Sequence, residues 1–91
     1  MIERVKEFTD CNILDCWIGT TGECGGDAGH GGHTYIKLEN PGGTAWKATI
    51  DGKEYDDPKS IRIDVYGDAE LRTLAKALKF AAKKLEKVLK I

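Results

Sequence analysis

Cys24, Asp27, His30 and His33 offer sulfur, oxygen and nitrogen donors within ten residues, and His30 and His33 are the chain's two histidines. Zinc accepts such a donor set, and the His30-Gly31-Gly32-His33 spacing is short enough for a chelate. Cys11 and Cys16 are further thiols upstream. The spacing matches no standard zinc signature, and the surrounding glycines make a loose ligand cage. The chain is therefore expected to fold with no metal and no cofactor, a small Cys/Asp/His metal domain standing as an alternative. Cys24 beside His30 or His33 also offers a nucleophile and a base. Nothing in the spacing fixes their geometry, so no catalytic residue is assigned and a non-enzymatic protein is expected.

The same stretch carries a second chemistry. Half of the residues from Gly19 to Gly32 are glycine, seven of the chain's eleven. Successive glycines expose backbone N–H groups and let an anion approach the main chain. Thr20, Thr21, His30, His33 and Thr34 add side-chain donors. No Gly-Lys-Ser/Thr follows, so this is not a Walker A loop, and the next element reads as a strand, which excludes a dinucleotide fingerprint. The candidate ligand site comprises Trp17, Thr20, Thr21, Gly25, Gly26, Asp27, Gly29, His30, Gly31, His33, Thr34 and Tyr35. Its expected occupant is a phosphate-bearing small molecule, with Trp17 or Tyr35 stacking a base.

These residues need a frame. Residues 12–18, 34–39, 44–50 and 61–66 alternate apolar and polar side chains and read as strands. Asp51-Gly52 is a hairpin signal with a short return at 53–55. Residues 40–43 read as a turn, and residues 2–9 fit either a short helix or an extension of the first strand. Residues 68–90 carry an apolar stripe at helical spacing, with Leu74, Leu78 and Leu85 expected to be buried, and Asp68 is a plausible N-cap. The expected fold is α+β: a four-stranded antiparallel β-meander packed against one C-terminal amphipathic helix, in one domain spanning residues 1–91. The helix would cover the face with Leu14, Ile18, Ile36, Leu38, Trp46, Ile50, Ile61 and Val65. The opposite face would expose Trp17, Tyr35 and Tyr66 among Lys37, Lys47 and Arg62, a surface suited to a ligand or to a homo-oligomer interface.

The 91 residues make a small core, which also favours oligomerisation. Net charge is −1, divided into +5 over residues 69–91 and −6 over residues 1–68. The lysines decorate a helix without an arginine cluster or a recognised binding motif, so nucleic acid is not the expected partner. No apolar run approaches a membrane span, no leader is evident, and three cysteines without secretory context point to a cytoplasmic protein.

The run Gly25-Gly26-Asp27-Ala28-Gly29-His30-Gly31-Gly32, leading into Thr34-Tyr35-Ile36-Lys37-Leu38, resembles small proteins of bacteriophages and prophages. So does the junction Tyr66-Gly67-Asp68-Ala69-Glu70-Leu71, which opens a basic helix. Small phage proteins of this kind include inhibitors of host defence. Some sequester cyclic-nucleotide signals, and others block an effector protein. The resemblance implies a viral anti-defence protein whose partner is either a nucleotide signal or a host protein.

Overall fold

The computed structural model describes residues 1–89. Six strands precede one helix: β1 (Ile2–Thr9), β2 (Ile13–Thr20), β3 (His33–Gly42), β4 (Lys47–Ile50), β5 (Lys53–Asp56), β6 (Ser60–Tyr66) and α1 (Asp68–Leu89). A four-stranded antiparallel sheet has the order β1-β2-β3-β6, and β4 and β5 form a separate two-stranded ribbon. The α+β class read from the sequence is the class observed. Residues 2–9 take the extended alternative and pair with β2 over their whole length, from Ile2 opposite Thr20 to Thr9 opposite Ile13. Residues 47–50, expected in the main sheet, pair instead with 53–56, from Lys47 opposite Asp56 to Ile50 opposite Lys53. The Asp51-Gly52 turn explains this. Both residues have positive φ, 50° and 79°, the tight hairpin geometry that joins adjacent antiparallel strands. The 40–43 segment continues β3 to Gly42 rather than turning at Asn40.

The chain divides into two compact units. One comprises Met1–Thr20 with Tyr35–Asp64, and the other Thr21–Thr34 with the chain from Val65 onward.

In the first unit, Tyr35 is only 4% exposed, the most deeply buried large apolar side chain among the described residues. Its hydroxyl donates to Glu3, and the Arg62 guanidinium lies 3.8 Å from its ring centroid. Arg62 is held in turn by Asp64, with nitrogen–oxygen distances of 2.8 and 3.0 Å. The hydrogen bond to Glu3, reinforced by burial, pushes the Tyr35 phenol above its usual pKa. Gly19 makes the room: a Cβ there would collide with the Tyr35 ring. Tyr35 was expected on an exposed face. It is buried because Gly19 opens space for the ring and Glu3 and Arg62 cover its polar end and its face. Thr44 ties the strand ends together, accepting from Asn12 Nδ2 and donating to the Ile13 carbonyl, each at 2.8 Å. Trp46, expected under the helix, donates its Nε1–H to the Pro58 carbonyl at 2.8 Å.

The second unit holds α1 and the glycine-rich loop. Ala, Leu, Lys and Glu dominate the helix and favour it intrinsically. The expected burial of its stripe does not hold. Leu74 is half-buried, but Leu78 is 40% and Leu85 65% exposed. Helical spacing of apolar residues does not establish that the same chain covers them, and within this unit the loop reaches only the first turns. Lys90, the last residue of the expected helix, lies outside the described residues.

Candidate functional site

The glycine-rich loop is built around a carboxylate, and that carboxylate belongs to the chain. Asp68, the first residue of α1, is buried. Its Oδ1 accepts from the amides of Cys24 at 2.9 Å and Gly32 at 3.3 Å, and its Oδ2 from the amide of Gly25 at 2.7 Å. These amides, Cys24 first, hold the Asp68 carboxyl below the usual carboxylate range against the opposing effect of burial. Asp68 was expected to cap its own helix. Instead its side chain turns back into the loop, while its backbone N–H donates to the Gly26 carbonyl at 2.7 Å.

The helix is capped from outside. Asp27 Oδ1 accepts from the Ala69 amide at 2.7 Å, which satisfies one of the orphan donors of the first turn. Glu70 returns the favour, both of its carboxylate oxygens lying 3.1 Å from the Ala28 amide. The pair works as a reciprocal capping box whose two halves come from distant parts of the sequence. Arg72 adds an ion pair to Glu23 at 2.9 Å. Backbone bonds from Gly29 to the Tyr66 carbonyl and from Gly67 to the Gly32 carbonyl close the loop at 2.9 and 2.8 Å.

Gly31 shows why the stretch must be glycine. Its φ is +97°, and a Cβ there would stand 2.6 Å from the Gly26 oxygen and 3.0 Å from Asp68 Oδ1. The backbone folds so tightly on the carboxylate that no side chain fits.

Each expected site residue can now be placed. Gly25 uses its amide on Asp68, and Asp27 uses its carboxylate on Ala69. Thr21 takes the His33 amide on its Oγ1 at 2.9 Å and gives its own amide to the His33 carbonyl at 3.0 Å. The His33 ring stacks on Tyr66, with centroids 4.5 Å apart and planes 15° apart. His30 is exposed, and its backbone N–H bonds to the Asp27 carbonyl at 3.1 Å. Gly26 accepts from Asp68, and Gly29 is an exposed turn residue with φ +98°. Thr34 is buried. Trp17, Thr20 and Tyr35 belong to the other unit, so the twelve residues do not form one cluster within either. The Lys37 ammonium lies 4.8 Å from the Trp17 ring centroid.

The metal set is also dispersed. Cys24 Sγ lies 3.6 Å from Thr21 Oγ1, Asp27 is engaged by Ala69, and His33 faces Tyr66. Among the described residues, no three His, Cys, Asp or Glu side chains gather so as to hold a metal ion.

Sequence reasoning missed Asp68 and Glu70 as the partners of the loop. A signal was present. Residues 21–34 contain no lysine or arginine and many amides that need acceptors, and Asp68 and Glu70 supply carboxylates at the start of the C-terminal helix. Among the described residues no helix is long and apolar enough to cross a membrane. Comparisons with protein-family models, curated proteins and solved structures found no match.

Proposed function

We propose that this chain is a non-enzymatic binding protein that docks another protein on the apolar face shared by β1 and β2. The observation that carries the reading is exposure. Register and alternation put Ile2 and Phe8 of β1 on one face with Leu14 and Ile18 of β2. Ile2 is 62% and Phe8 50% exposed, and every residue of the edge strand β1 is exposed. Exposed large apolar side chains gathered on one sheet face mark interaction sites. Arg4 and Lys6 share the face, and the Lys6 ammonium lies 5.2 Å from the Phe8 ring centroid. The fitting partner is a protein with an apolar patch rimmed by carboxylates. In the setting that the phage resemblance implies, it is a host defence or effector protein met in the cytoplasm.

Capture of a phosphate-bearing small molecule has weaker support. The amides that would cradle a phosphate are occupied by Asp68 and Glu70, and an incoming anion would have to displace them. The metal alternative has no assembled donor set behind it.

Affinity capture from a bacterial lysate, run beside calorimetric titration with mono-, di- and cyclic nucleotides, tests the reading. One stoichiometric protein partner that is lost with Phe8→Glu, and no heat from any nucleotide, is the expected result. Nucleotide binding abolished by Gly29→Val would reject it and restore the loop as the ligand site.

A further inference from the structure

We infer that α1 pairs antiparallel with α1 of a second copy of this chain. The helix is a different surface from the docking face above, so either can fail alone.

Six apolar residues of α1 follow a three-four alternation, Leu71, Leu74, Leu78, Ala81, Leu85 and Val88, flanked by Ala75, Ala82 and Leu89. This is the a/d spacing of a helix that supercoils with another helix. The seam lies open along most of its length, with Leu85 and Val88 about as exposed as each other at 65% and 64%. The helix has 22 residues, about 33 Å at 1.5 Å per residue. Helices in water gain most of their stability from burying such a face. Lys79, Lys83 and Lys87 follow one another at four-residue spacing, which opposes the helix unless opposite charge comes near.

Charge selects both the occupant and its direction. The later turns of α1 carry Lys76, Lys79, Lys83, Lys84 and Lys87 against Glu86 alone. The loop and first turns carry Glu23, Asp27, Asp68 and Glu70 against Arg72 alone. One unit therefore has a basic end and an acidic end. Parallel pairing would set lysine beside lysine. Antiparallel pairing brings the lysines of one copy to the acidic junction of the other and opposes the helix dipoles. The seam is self-complementary in that sense. Leu71 faces Val88 of the second copy, Leu74 faces Leu85, and Leu78 faces Ala81, so every layer sets apolar against apolar across the two-fold axis.

The full chain is tested by light scattering and by cysteine cross-linking, with Cys11 and Cys24 replaced by serine. The expected mass is twice the 10.0 kDa of one chain at micromolar concentration, falling to a single chain with Leu85→Glu while the helical circular dichroism persists. A mixture of the Leu78→Cys and Ala81→Cys proteins should form the mixed disulfide under oxidation in preference to either self-linked product. A single-chain mass at every concentration overturns the proposal. So does a dimer that survives Leu85→Glu, or a Leu78→Cys protein that links to itself as readily as to Ala81→Cys, which is the parallel outcome.

Discussion

The two ends of α1 solve opposite problems. At the first turn nearly every polar group has a partner inside the chain: Asp68, Glu70 and the Ala69 amide are all engaged by the loop. Beyond Leu74 the helix has no buried side chain among the described residues, and its apolar seam stays open. The first end is finished, and the second is not. Stability of the unit should therefore reside in the polar junction, and association in the apolar turns. A substitution at one end should leave the property of the other end alone.

Asp68→Ala should produce the largest effect. It strands the amides of Cys24, Gly25 and Gly32 inside the loop, and unpaired buried donors are more costly than lost contacts on a surface. Urea unfolding should shift to a markedly lower midpoint, and protease should cut within residues 21–34. Asp68→Asn should fall between, because one oxygen still accepts while the amide group meets donors. A wild-type midpoint for Asp68→Ala would mean that the junction does not hold the unit together.

The backbone approach gives the next effect. Gly31→Ala forces a Cβ onto the Gly26 oxygen at a φ of +97°, a strain of about 1–3 kcal/mol. Gly19→Ala tests the other unit in the same way, since its Cβ meets the Tyr35 ring, and overpacking of this kind costs about 1–3 kcal/mol. Both changes should lower the unfolding midpoint and leave the subunit mass at a given folded concentration unchanged.

These effects also mark how far the sequence could be read. The helix from Asp68, the strand at 61–66 and the Asp51-Gly52 hairpin follow from local rules of period, cap and turn, and the structure has them. The position of Tyr35 does not follow from such rules. Alternation puts it opposite Ile36, but its burial depends on Gly19, sixteen residues earlier, and on Glu3, which pairs across from Gly19. The loop was legible as a nest for an anion. The identity of the anion was not, because Asp68 stands more than forty residues from Cys24 and Gly25. Burial of the helical stripe was misread for a related reason: the pattern is a property of one helix, and cover is a property of what lies against it.

Acid gives a third, smaller effect with a definite sign. Asp68 is depressed in the folded chain, so its stabilising contribution is full above the ordinary carboxylate range and is lost as pH falls through the depressed value. The unfolding midpoint should stay level from neutral pH into the weakly acid range and drop below it. Asp68→Asn should flatten that drop, because its side chain does not titrate. An acid drop of unchanged size in Asp68→Asn would assign the dependence to other carboxylates.

The Arg72–Glu23 pair should show the smallest effect, and it sets the limit of the junction. Its nitrogen–oxygen distance is 2.9 Å, equal to that of the Cys24 amide to Asp68, yet both side chains are more than half exposed. Water and salt screen such a pair, and two long side chains lose freedom in making it. Glu23, the pair's loop residue, is also the acidic group outside the capping exchange between Asp27 and Glu70. Arg72→Gln should therefore leave the urea midpoint within experimental scatter, at low and at high salt alike. Arg72 is the single basic residue of the loop and first turns, so its loss makes the acidic end more acidic. If lysines of a second copy meet that end, Arg72→Gln should tighten the dimer slightly at low salt, with the gain vanishing as salt is raised. A lowered midpoint with no change in association would extend the polar junction one turn further along α1 than its burial indicates.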